Sequence, residues 1–182
     1  MATMASRRIE DLAPDVQVAA NLIMGACDHD GVDILIYCTL RPLEEQARLY
    51  RQSRALVEIS YKIQKFRDRG LGFLADILQN TAPCHGPKRT NAAPGESWHN
   101  YAEAFDAVPM VGGKPAWNYD DAPFEWGVYG HAIRDAGLNW SGDWKKFKEI
   151  AHAQKRHGSN PLKEYSPEKI QEMLIANGLL KA

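Results

Sequence analysis

Residues 97–106 read SWHNYAEAFD, with a histidine and an aspartate seven apart, a serine two before the histidine, and aromatics around them. Two readings fit: a pair of metal ligands, or a polar pair satisfied inside a hairpin. Zinc draws its ligands to about 2.0–2.3 Å from one point. Seven residues of straight strand span roughly 23 Å, and an odd offset sends the two side chains to opposite faces. Seven residues of helix share a face but separate by about 10 Å along the axis. His99 and Asp106 therefore meet only if the chain turns between them, with His99 in a loop or first strand and Asp106 on the next. The intervening NYAE offers such a turn.

Outward from this stretch, AFDAVPMV (104–111) reads as a strand stopped by Gly112-Gly113. Upstream, the Pro-, Gly- and polar-rich TAPCHGPKRTNAAPGE (81–96) is a loop that delivers the chain to the motif. A first helix is expected from about Asp15 to Cys27, with Pro14 in its first turn and Val16, Ala20, Ile23 and Cys27 on one side. VDILIYC (32–38) is a β-branched run suited to a buried strand. Thr39-Leu-Arg-Pro42 opens a second helix in which Leu43, Ala47 and Tyr50 face together. The helical pattern runs to about Lys65, breaks at Gly70 and Gly72, and resumes to Leu78. Another helix spans about Ala122 to Ala136 with Gly137 after it, and Leu138–Ser141 is a short strand. At the end, Ser166 is an N-cap, Pro167 the first helical residue, Ile170, Met173 and Leu174 face inward, and Gly178 marks the stop. Short strands and helices without βαβ regularity give an α+β fold, a small mostly antiparallel sheet flanked by helices.

The chain has 182 residues, enough for one domain with a real core. Its 45% hydrophobic and 25% charged residues are the balance of a globular protein. A net charge of −1 argues against nucleic acid as a partner. No apolar run is long enough to cross a bilayer, so no membrane insertion is expected. MATMASRRIEDL at the N-terminus lacks the apolar core of a secretory signal. Cys27, Cys38 and Cys84 cannot all pair, and Cys27 and Cys38 read as small buried hydrophobes. WKKFKEIAHAQKRH (144–157) is a basic cluster, either a solvated face or an anion-attracting rim.

A metal site needs a third ligand. His29 sits in a polar turn, His85 has no matching partner, and His131 lies in mid-helix. His152 differs, because Glu149 stands three before it. Residues three apart are neighbours in a helix or turn but diverge in a strand. A turn would put a carboxylate beside the metal without making it a ligand. Three protein ligands, an open position and a free carboxylate make the layout of a hydrolytic zinc site.

On these residues the chain resembles the zinc peptidases of peptidoglycan: L-alanyl-D-glutamate endopeptidases used as phage endolysins, and the related D-alanyl-D-alanine carboxypeptidases and dipeptidases. TLRPLEEQARLYRQ resembles the family's Arg-x-x-x-x-Gln-x-x-Leu-Tyr segment. TNAAPGESWHNYAEAFDAVP is similar to its central block, and GLNWSGDWKKFKEIAHAQ to its last motif. The likeness covers roughly residues 7–154 in the expected order. It implies a hedgehog/D,D-peptidase-like fold with a helical C-terminal extension at about 160–182. It also implies one zinc per chain on His99, Asp106 and His152. Glu149 would be the general base, Arg41 the oxyanion partner, and Ser97 a residue that holds substrate near the metal. The resemblance leaves Gln46 without a derived role, and packing of the second helix onto the sheet is expected of it. Trp140 and Trp144 are either groove lining or core, with core favoured.

Several positions depart from the family. Ala102 stands where a Gly commonly follows the ligand His. The base position is Glu149, where many endolysins have Asp. Ala-Gln follows His152 in place of an aromatic and an acid. Residues 53–88 make a longer connection than expected, a candidate cap or wall over the cleft.

The expected activity is hydrolysis of a stem-peptide bond in bacterial peptidoglycan, L-alanyl-D-glutamate before D-alanyl-D-alanine, by a monomer. It would be made in the host cytoplasm and released to the wall through a holin lesion. A non-catalytic wall-binding or virion structural module is the rival from another class. It would be expected to lose the base or the arginine, and both are present. No glycine-rich phosphate loop supports a nucleotide enzyme.

Overall fold

The computed structural model describes residues 4–145 and 148–181, so Lys146 and Phe147 of the basic cluster lie outside the described residues, as do the first three of the N-terminal stretch. In chain order the elements are α1 (Pro14–His29), β1 (Ile34–Cys38), α2 (Leu43–Arg51), α3 (Leu56–Asp68), α4 (Gly72–Asn80), β2 (Ala104–Val111), β3 (Lys114–Pro115), α5 (Pro123–Asp135), β4 (Asn139–Trp140), β5 (His152–Gln154) and α6 (Pro167–Ala176). A 3-10 turn, Trp98–Tyr101, precedes β2. The class is α+β. The chain divides into two compact units.

One unit comprises Ser6–Leu40 and Ala102–His157 and contains the sheet. Its strands run in the order β1-β2-β5-β4, all neighbours antiparallel, with β3 folded back onto β2 through Gly112-Gly113. β2 is paired on both sides, which is why its first six residues are all buried. Proline starts both flanking helices, α1 and α5, where its missing N–H costs nothing. Val16, Ala20, Ile23 and Cys27 of α1 join Trp126, Tyr129 and Ile133 of α5 and Phe105, Ala107 and Ala153 of the sheet in one core. Each large apolar side chain buried there contributes roughly 1.5–3 kcal/mol. Trp140 lies so close to α5 that a Cβ on Gly130 would sit 2.5 Å from its ring. Only glycine lets them meet.

The other unit comprises Arg41–Tyr101 with the chain from Gly158 on and the residues up to Ala5. It contains α2, α3, α4 and α6. Leu43, Ala47 and Tyr50 form the buried side of α2, as their spacing predicts. The helical pattern expected to continue to Lys65 is interrupted instead at residues 52–55. Ser53 there takes a φ of 61° and Arg54 N–H turns back to the carbonyl of Arg51. The connection at 53–88 is thus a helical hairpin, α3 and α4, followed by a loop. Ser166 caps α6 by accepting from Lys169 N–H at 3.3 Å; Ile170 and Leu174 are buried, while Met173 is only half-buried. The stretch after Gly158 is part of this unit's interior. Trp98 Nε1 donates to the Gly158 carbonyl at 2.6 Å, and its ring meets Tyr165 edge-on at 6.4 Å.

Candidate active site

The residues that the sequence points to fall in both units, and each set has its own geometry. In the sheet unit, Phe105 and Ala107 belong to the core, so alternation along β2 turns Asp106 to the other face. The register pairs Asp106 with Cys38 on one side and His152 on the other, one cross-strand row of thiol, carboxylate and imidazole. All three are buried. His152 Nδ1 lies 2.9 Å from Asp106 Oδ1, and the Cys38 sulfur lies within 4.8 Å of an Asp106 carboxylate oxygen.

Glu149 is exposed and outside any helix or strand. The N–H of His152 donates to its carbonyl at 2.8 Å, closing the turn that the three-residue spacing calls for. Three further donors fix that segment. Trp140 Nε1 bonds the Ile150 carbonyl at 2.7 Å, Tyr129 Oη bonds the Ala151 carbonyl at 3.1 Å, and Ser141 Oγ bonds the carbonyl of Glu149. Burial above all, with the Asp106 charge adding to it, pushes the Tyr129 phenol well up, so it stays a donor. Trp140 is a core residue, as favoured from the sequence, whereas half-buried Trp144 sets its ring edge-on to His152 at 5.9 Å.

Two other carboxylates of this unit are already engaged. Arg134 holds Asp143 through two bonds of 2.8 and 2.7 Å and draws its carboxyl below the usual range. Arg156 holds Glu103 through two of 2.8 and 2.9 Å. His29 and His131 face solvent, paired with Asp30 and Asp135.

In the helical unit, His99 sits in the 3-10 turn and is 2% exposed. Its carbonyl accepts from Arg41 N–H at 3.0 Å, while Asn100 Nδ2 donates to the Arg41 carbonyl at 2.8 Å. The Arg41 main chain is thus fastened to the turn through both its N–H and its carbonyl. The turn is itself clamped to Gly95, whose N–H reaches Asn100 Oδ1 at 3.0 Å and whose carbonyl takes Tyr101 Oη at 2.8 Å. Half-buried Ser97 begins it, with its carbonyl accepting from Asn100 N–H at 3.0 Å.

Three residues gain roles that the sequence did not disclose. Gln46, fully buried, accepts from Arg41 Nη1 at 3.0 Å and donates to the Ala92 carbonyl at 2.7 Å. Gln154 accepts from or faces His152 Nε2 at 3.0 Å. Cys38, expected to be a plain hydrophobe, stands beside Asp106. Alternation would have placed Gln154 on the face of His152, but the three residues of β5 carry no strand signal of their own.

The donor set suits zinc, which takes imidazole nitrogen, carboxylate oxygen and thiolate sulfur. Two N or O ligands on one tetrahedral ion lie about 3.3 Å apart, given bonds of about 2.0 Å. The Asp106–His152 separation of 2.9 Å is close to that.

Residues 90–155 match the model of a peptidase family described as D-alanyl-D-alanine carboxypeptidase. The peptidoglycan L-alanyl-D-glutamate endopeptidase CwlK of Bacillus subtilis (strain 168) is 28% identical over 150 residues, 79% of this chain and 73% of that protein. Among solved structures, the L-Ala D-Glu endopeptidase ChiX of Serratia marcescens aligns at 17% identity with a TM-score of 0.46, over 85% of this chain and 87% of that one. The LD-carboxypeptidase LdcB aligns at 14% identity with a TM-score of 0.46, over 90% and 69%. With the matched block spanning His99 to His152, the chain is similar to peptidases of peptidoglycan.

Proposed function

We propose that the protein hydrolyses the L-alanyl-D-glutamate bond of peptidoglycan stems, with one zinc ion on His99, Asp106 and His152, as a phage-type endolysin. The observation that carries the reading is the buried Asp106–His152 pair, set by sheet register with a turn at Glu149 beside it. The CwlK likeness, over most of both chains, supports this bond in particular.

Bound there, zinc would lower the pKa of a water towards about 7 and polarise the scissile carbonyl. Glu149 takes the proton from the attacking water and returns it to the leaving amine as the C–N bond breaks. Asp143 and Glu103, tied to arginines, are poor substitutes. Arg41 carries a permanent charge to the developing oxyanion, and Gln46 holds its guanidinium in one orientation. Ser97, at the head of the His99 turn, positions the stem peptide.

Digestion of purified peptidoglycan followed by mass analysis tests the proposal, since each new amino terminus names the bond. Fragments beginning with D-glutamate are expected, with glycan reducing ends unchanged. New reducing ends would refute a peptidase. Release of terminal D-alanine alone would favour the second reading, a D-alanyl-D-alanine carboxypeptidase, which the description of the matched family model supports.

A further inference from the structure

We propose that Gln154 is a positioning residue for the metal, fixing which nitrogen of His152 is offered to it. The inference rests on the reading of His152 as a zinc ligand. Gln154 is 2% exposed and lies two residues along β5, on the same face as His152. Its Oε1 is 3.0 Å from His152 Nε2, and its Nε2 donates to the Arg156 carbonyl.

That second bond decides the first. A carbonyl only accepts, so the amide nitrogen of Gln154 must face Arg156 and the amide oxygen must face the imidazole. An amide oxygen also only accepts, so His152 Nε2 carries the hydrogen. Nδ1 is left facing Asp106 as the nitrogen able to ligate. The Arg156 carbonyl is itself held in place. The Arg156 guanidinium grips Glu103, and the Lys155 N–H donates to the Glu103 carbonyl at 2.9 Å. A chain of fixed partners thus runs from Glu103 through Arg156 and Gln154 to the ligand. Outer partners of this kind set ring orientation and the basicity of the ligand.

The test compares zinc affinity, by chelator competition, in wild type, Q154L and Q154E, with imidazole nitrogen NMR on the zinc-loaded wild type. Q154L removes the acceptor and should bind zinc roughly 10–100-fold more weakly. Q154E keeps an acceptor for Nε2–H but loses the donor to the Arg156 carbonyl, and should fall between wild type and Q154L. The NMR spectrum should show hydrogen on Nε2 and metal on Nδ1 of His152. Unchanged affinity in Q154L, a Q154E as weak as Q154L, or metal on Nε2 would each overturn the proposal. Should a variant fail to fold, the wild-type spectrum still decides. Failure of the underlying reading looks different: His152→Ala would then bind zinc as tightly as wild type.

Discussion

Arg41 Nη1 donates to Gln46 Oε1 at 3.0 Å, and that glutamine is fully buried. Since its other end is tied to Ala92, its oxygen cannot swing away from the arginine. Gln46→Leu should leave zinc content unchanged and lower kcat about 10–100-fold through a misplaced guanidinium. Folding should weaken by about 1–3 kcal/mol through the two lost hydrogen bonds, one of them to a charged group. Steady-state kinetics beside metal analysis checks this; full kcat in the variant would remove Gln46 from the positioning of Arg41.

Glu149→Gln separates base from ligand. The side chain keeps its size and loses its proton acceptor, so the rate should drop about 10²–10⁴-fold. Zinc stoichiometry and melting temperature should hold. Loss of zinc would make Glu149 a ligand.

His99→Ala, Asp106→Ala and His152→Ala should each strip or weaken the metal, whereas Cys38→Ser should keep it. Cys38 is near enough to Asp106 for this to need testing. Cobalt-loaded protein gives the answer directly. No thiolate-to-cobalt band is expected in the near ultraviolet, and a band that vanished in Cys38→Ser would put sulfur in the coordination sphere.

Burial pushes the Cys27 thiol up to about 11 from an ordinary 9.0. Above pH 9 the unfolded chain loses this proton while the folded protein keeps it. The unfolded state then binds fewer protons, and stability falls as pH rises, levelling off near 11. Two units correspond to about 2.7 kcal/mol at most. Urea midpoints between pH 9 and 10, below the range where Tyr101 and Tyr129 (also raised by burial) add their share, should fall less in Cys27→Ala. Identical slopes would count against the assignment.

Ala102 occupies the left-handed region with φ 59°, between the His99 turn and β2. A Cβ there costs about 1–2 kcal/mol, partly offset by the greater freedom of glycine in the unfolded chain. Ala102→Gly should therefore stabilise by about 0.5–1 kcal/mol. Thermal unfolding would show a rise of about 1–3 °C, and a fall would mean the methyl packs better than its strain costs.

Much of this was legible locally. Proline and glycine punctuation located α1, α5 and α6, and the impossibility of His99 and Asp106 meeting on one regular element called for a turn within NYAE, where the 3-10 turn Trp98–Tyr101 ends and Ala102 takes a positive φ. The spacing of Glu149 and His152 required another, and it is there. What stayed hidden depended on register or on distant partners. β5 is three residues long and exists because β2 and β4 flank it, so nothing in HAQ announces a strand. The pairing of Cys38 with Asp106 follows an irregularity in β1 that shifts the register after Ile36. Gln46 finds Ala92 forty-six residues away, beyond any local pattern.

The helical unit draws on both early and late chain: Trp98, next to His99, leans on Gly158 and Tyr165. During synthesis every proposed ligand and the base leave the ribosome before those supports do. A nascent chain that has reached His157 holds all the chemistry and lacks the bed for Trp98. Maturation of the His99 turn is thereby deferred until the chain beyond Gly158 has emerged, and a protease that removed that stretch would reverse it without touching a single proposed site residue.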